Sequence, residues 1–240
     1  MSACLACLAV LADSATNSPY WTVEDPAERA KLPMYQVIPA AKPEELTPAN
    51  GLPKREVYRG WTRSHGDSGG TRFSALDQIN RQTVKDLREA WTYRSRDGSN
   101  NIQCNPIVVR GVLYAPTAGQ HVVAVNAETG AEIWRFKPEG RPAFRGLVYW
   151  PGAAGATERI FFCAGKSLYT VDPASGQPIA GFGEGGRAAL PGNWQGDFGA
   201  ATACPAVFEK IVIVPGWEKD VWGFDAETGK QLWTFHSVPQ

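Results

Sequence analysis

Three copies of one hairpin signature, 25 glycines with 18 prolines, and nine tryptophans against two methionines predict an all-β fold. The arrangement expected is a partial β-propeller of about three four-stranded blades, preceded by an irregular Pro-rich arm. Glycine and proline at this density supply many turns, and large rings supply packing between short strands. With 240 residues, 43% of them hydrophobic and 20% charged, the chain is long and apolar enough for an ordered core. The 24 Lys and Arg are balanced by 24 Asp and Glu, which excludes a basic nucleic-acid footprint and a polybasic membrane patch.

Taken in order, the chain opens with an apolar run, Ala3–Ala12, too short for the ~20 residues of a membrane span. Residues 1–15 read either as a signal segment without its basic start or as an N-terminus with no regular structure. Cys4 and Cys7 form a CxxC, but Leu8 follows where c-type haem attachment requires His. Residues 16–58 hold seven prolines, from Pro19 to Pro53, and are expected as an extended arm with no long regular element. Asp25–Leu32 could form a short helix with Pro26 in its first turn. Ile79, Val84 and Leu87 suggest a helical turn leading into a strand at Ala90–Tyr93.

The repeat follows. One copy ends Val122-Val-Ala-Val-Asn-Ala-Glu-Thr-Gly-Ala-Glu-Ile-Trp134, and another ends Val221-Trp-Gly-Phe-Asp-Ala-Glu-Thr-Gly-Lys-Gln-Leu-Trp233. A degenerate copy, Leu168 to Phe182, lies between them. Thr129, Ser175 and Thr228 occupy one position in the three copies, 46 and 53 residues apart. Each copy reads as strand, turn, strand: Gly130, Gly176 and Gly229 supply a positive φ, and the Asn/Asp and Thr/Ser side chains bond the turn backbone. Two more β-like runs precede each hairpin: Pro106–Val109 with Val112–Tyr114, Leu147–Tyr149 with Arg159–Cys163, and Cys204–Phe208 with Ile211–Val214. Four strands per copy make a blade, so the propeller part is 59–240, with blades near 92–134, 135–182 and 183–233. Trp134, Phe182 and Trp233 are expected to pack flat between blades, each burying about 150–250 Å². Three blades cannot close a ring, so the chain reads as the N-terminal part of a longer propeller or as a severely shortened one.

Two motifs are decoys. His65-Gly-Asp-Ser-Gly-Gly70 contains the string around a trypsin-like serine, yet no histidine precedes His65 to act as base. Gly181-Phe-Gly-Glu-Gly-Gly186 spells a dinucleotide fingerprint but follows a hairpin and runs into Pro191-Gly192, leaving no room for the required helix. Five cysteines, an odd count, leave no fully paired disulfide set, and Cys104, Cys163 and Cys204 read as buried thiols.

The run from Trp61 through Arg63-Ser-His65 to Asn80, then Leu87–Tyr93, resembles the opening of pyrroloquinoline quinone (PQQ)-dependent dehydrogenases. Ile102-Gln-Cys-Asn-Pro106, Arg145-Gly-Leu-Val-Tyr-Trp150 and Phe182-Gly-Glu-Gly-Gly186 continue the likeness in order, over about Arg59 to Gln240. The glucose/alcohol dehydrogenase branch is nearest. The resemblance implies a periplasmic eight-bladed propeller that holds PQQ and Ca²⁺ on its axis and oxidises an alcohol or sugar. It implies as partners a small-molecule substrate and an external electron acceptor, quinone or cytochrome, with no nucleic acid and no membrane span.

Position by position, the resemblance places Gln103 at the cofactor rim, Arg145 near the quinone oxygens and Thr202 at a cofactor carboxylate. Glu218 is its calcium ligand. Each has a plainer reading: a solvated blade-end residue, a structural ion pair, a turn threonine and a solvent-facing carboxylate. The chain departs from the family in lacking the adjacent cysteines that precede the arginine in the alcohol-oxidising branch, having Pro142-Ala-Phe144 instead. The family's aspartate base falls beyond this chain, so no catalytic residue is assigned here and the chain alone is expected not to turn over. The competing reading is a non-catalytic propeller scaffold resembling the lipoprotein that helps assemble outer-membrane proteins.

Overall fold

The computed structural model describes residues 27, 60–66, 70–99, 101–153, 155–192, 203–216 and 220–237. The chain divides into Met1–Asn50 and Gly51–Gln240. The expected signal segment, and the expected arm apart from Ala27, lie outside the described residues.

Among the described residues, twelve strands form three four-stranded sheets, and each sheet is an antiparallel meander in chain order. The first holds β1 (Ile107–Val109), β2 (Val112–Pro116), β3 (Val122–Asn126) and β4 (Glu132–Phe136). The second holds β5 (Val148–Trp150), β6 (Arg159–Ala164), β7 (Ser167–Val171) and β8 (Arg187–Ala189). The third holds β9 (Ala206–Phe208), β10 (Ile211–Pro215), β11 (Asp220–Asp225) and β12 (Gln231–His236). The short leading strands β1, β5 and β9 lie side by side, β1 against β5 and β5 against β9, so the sheets fan out from one edge. This is the all-β partial propeller that the repeat predicts.

Alternation along each strand decides which neighbour it meets. In β6, Ile160, Phe162 and Ala164 face the first sheet and join Ile107, Tyr114, Val122 and Trp134 in one core. Phe161 and Cys163 face the third sheet and join Val212, Val214, Trp222 and Phe224 in another. With both faces covered, β6 is buried throughout, and its sequence is an unbroken apolar run after Arg159.

The hairpin turns form as the sequence dictates. Asn126, Asp172 and Asp225 each accept two turn N–H groups on Oδ1, at 2.7–3.1 Å. The following glycines have φ of +74°, +70° and +74°. Each glycine is a seat for an aromatic ring from one repeat earlier: Trp91 over Gly130, Trp134 over Gly176 and Phe182 over Gly229.

Two local expectations are corrected. Phe182 does not sit on a strand; the second sheet closes later, at Arg187–Ala189. Pro178 removes a ladder donor, and Gly183, Gly185 and Gly186 all take positive φ, so the chain loops out before pairing. The would-be strand Ala90–Tyr93 forms no ladder among the described residues, although the helical turn before it is present as a short 3₁₀ segment, Val84–Asp86. Side chains fix that stretch instead: Trp91 Nε1 donates to the Ala127 carbonyl at 3.1 Å, and Asp97 accepts from Arg135, His121 and the Gly119 N–H at 2.9–3.1 Å.

Candidate active site at the mouth of the inner strands

Because β1, β5 and β9 enter from the same end, the residues just before them converge. Gln103 and Asn105 precede β1, Arg145 precedes β5, and Ala203–Pro205 precede β9; all line one cavity of about 490 Å³. Asn105 and Gly146 pair as a parallel bridge, which joins the entries of the first two sheets. A Cβ at Gly146 would stand 3.1 Å from the Asn105 carbonyl oxygen, so glycine permits that approach beside Arg145.

The remaining wall comes from the segment ahead of the first sheet. Trp61 exchanges two backbone hydrogen bonds with Val108 of β1, at 2.7 and 2.8 Å, and Tyr149 N–H donates to the Thr62 carbonyl at 2.9 Å. Arg63–Gly66 then closes as a tight turn, Gly66 N–H to Arg63 carbonyl at 2.9 Å, with Gly66 at φ +94° under the Trp61 ring. The turn delivers Arg63, Ser64 and His65 to the cavity.

The cavity is lined by donors. Arg63 reaches across to the third sheet, where Nη1 donates to the Val207 carbonyl at 3.3 Å, and its Nε is buried with no partner. Arg145 is exposed and rests against the Phe144 ring, 5.7 Å from guanidinium carbon to ring centre. Asn105 Nδ2 donates to Ser64 Oγ at 3.0 Å. Arg72 meets His65 Nε2 at 3.2 Å; since a guanidinium only donates, Nε2 accepts and Nδ1 carries the proton. Burial pushes the Cys204 thiol up to about 12, so it stays protonated near neutrality and is no nucleophile. No carboxylate occurs among the described lining residues, so the site as described can bind but has no carboxylate to take a proton.

Of the residues expected from sequence, Gln103 and Arg145 come together here, while Thr202 and Glu218 lie outside the described residues. Among the described residues no group of three His, Cys, Asp or Glu side chains could hold a metal ion. No described helix is long and apolar enough to cross a membrane. Sequence reasoning missed Asn105, Arg63 and His65. Asn105 was within reach, since the two-residue period of an extended segment puts it on the face of Gln103. His65 stands only at the head of the decoy string, and Arg63 belongs to no local motif.

Residues 61–240 match the PQQ family described as glucose/ethanol/alcohol dehydrogenase, β-propeller domain. The chain is 31% identical over 198 residues to a quinohemoprotein alcohol dehydrogenase of Comamonas testosteroni, covering 75% of this chain and 26% of that protein. It is 27% identical over 244 residues to quinoprotein glucose dehydrogenase A of Acinetobacter calcoaceticus, covering 82% of this chain and 30% of that one. The crystal structure of the Comamonas enzyme superposes with a TM-score of 0.61 at 29% identity, over 75% of this chain and 27% of the other. The chain thus spans between a quarter and a third of the length of these relatives.

Proposed function

This chain belongs to the PQQ family of glucose/ethanol/alcohol dehydrogenase β-propeller domains, and from that membership we propose that it is part of a periplasmic quinoprotein oxidising an alcohol or sugar. In this reading, blades near 92–134, 135–182 and 183–233 carry the cofactor end of the site. Gln103 and Arg145 hold the quinone and its acid edge, Thr202 bonds a cofactor carboxylate, and Glu218 ligates Ca²⁺.

The residues present suit the group. PQQ is a planar quinone bearing three carboxyls, and the described lining offers guanidinium, carboxamide and N–H donors in a cavity of about 490 Å³, within the usual small-ligand range. PQQ bound there would supply a two-electron acceptor for hydride, and a cation beside it would supply Lewis acidity. This chain's own work is to orient and charge-balance. Gln103 can donate or accept at the rim, and the planar fork of Arg145 binds oxygens pairwise. Proton abstraction and transfer of electrons to a quinone or cytochrome acceptor belong to groups beyond the described lining. The observation that carries the reading is the meeting of Gln103 and Arg145, from the entries of two different sheets, in one cavity.

Titrating the chain with PQQ in the presence of Ca²⁺, followed by quinone absorbance, should give saturable one-to-one binding. Arg145→Ala should weaken it by roughly tenfold to a hundredfold, the range for a charged hydrogen bond. Absence of saturation with folded protein would remove the cofactor assignment.

A further inference from the structure

Three arginines elsewhere in the described structure pair with carboxylates. Arg110 pairs with Glu158, Arg135 with Asp97 and Glu132, and Arg187 with Glu139. The two in the cavity do not: neither Arg63 nor Arg145 has an acidic partner among the described residues, and no described lining residue is Asp or Glu. Arg63 is the more telling. It is half-buried, its Nη1 is spent on the Val207 carbonyl, and its Nε–H is buried without an acceptor. Leaving such a donor unmet is costly, and the edge formed by Nε and Nη is the one that grips a carboxylate with two parallel bonds.

His65 adds to this wall. Arg72 occupies its Nε2, which leaves Nδ1–H as a further donor and keeps a third cationic side chain close behind the cavity. Positive charge thus gathers from two elements: the Arg63–Gly66 turn with Arg72, and the entry of β5 with Arg145.

We propose that Arg63, acting with Arg145 across the cavity, forms a carboxylate-binding subsite. Where the carboxylate is the cofactor's own, this deepens the function proposed above and rests on it. A carboxylate on a hydroxy-acid substrate has the same chemistry and would use the same two guanidiniums.

The test reads binding to the full 240-residue chain, by calorimetry, with three probes: PQQ, gluconate, and pyridine-2,6-dicarboxylate as a bare dicarboxylate. Arg63→Ala should weaken the dicarboxylate about tenfold to a hundredfold. Arg63→Lys should recover only part of that, since charge returns without the fork. Loss of PQQ affinity in Arg63→Ala assigns the subsite to the cofactor, whereas loss of gluconate affinity with PQQ unchanged assigns it to the substrate. Should the alanine variant fail to fold, the wild type compared with pyridine-2,6-dicarboxamide gives the same reading. The subsite requires the dicarboxylate to bind at least tenfold tighter than the neutral amide. Dicarboxylate binding that depends on Arg63, without any PQQ binding, would sink the cofactor reading and leave the subsite standing. PQQ binding with every probe indifferent to Arg63, or a dicarboxylate no tighter than its amide, overturns the subsite.

Discussion

At each junction between repeats a turn carbonyl needs a donor, and the residue supplying it changes. Trp91 Nε1 donates to Ala127 at 3.1 Å and Trp134 Nε1 to Pro173 at 2.9 Å. In the third copy the equivalent carbonyl is Ala226, and the ring over its turn is Phe182, which has no N–H. Arg159 takes over: its Nη1 donates to Ala226 at 3.0 Å and to Glu227 at 2.8 Å, with the guanidinium between the Trp150 and Phe182 rings. A buried arginine in an otherwise apolar strand is thereby explained as compensation for an absent indole. Arg159→Leu should cost about 2–3 kcal/mol in urea unfolding, because it strips charged donors from two carbonyls. Phe182→Trp should destabilise the wild type by overpacking, yet stabilise the Arg159→Leu background by about 1 kcal/mol as the indole N–H returns. A double-mutant cycle with no such change of sign would break the equivalence.

The hairpin turn is where one element locks to the next, and two glycines separate backbone from packing. Gly176 has φ +70°, and a Cβ there would stand 2.5 Å from the Trp134 ring. Gly111 has φ +78° with nothing within 4 Å of the same built atom. Gly111→Ala should therefore cost about 1–2 kcal/mol, the left-handed penalty alone, and Gly176→Ala a further 1–3 kcal/mol for the displaced ring. Equal losses by chemical denaturation would mean that the ring gives way freely. The same turns made the fold legible: a glycine, an Asx residue and an aromatic at fixed offsets report local chemistry that the sequence states directly. Phe182 keeps the ring position expected of its copy, while Pro178 and three positive-φ glycines postpone the strand. The site was legible in part. Gln103 and Arg145 sit at strand entries that the repeat itself brings into register. Arg63 reaches the cavity only through the bridge from Trp61 to Val108, a pairing between distant segments that no local pattern announces.

Across the whole described assembly, coverage falls from the middle sheet to the third. The second sheet has neighbours on both faces. The third sheet meets the second on one face, while every residue of β12 is exposed. Matched positions show the contrast: Trp134 is 9% exposed and Trp233 37%, and Phe136, packed against Phe162 and Tyr169, corresponds to Phe235 at 61%. Trp233 lies over Gly223 of its own sheet. Trp134→Ser should then cost about 3–5 kcal/mol, as large core truncations do, while Trp233→Ser should cost no more than about 1 kcal/mol. Combined with Phe235→Ser, the outer change should also lower binding of a hydrophobic dye and any self-association seen in sedimentation, because it removes a contiguous apolar patch. If Trp233→Ser is instead as damaging as Trp134→Ser, the β12 face is covered in solution by a second copy of the chain, and its loss of stability will grow less as protein concentration falls.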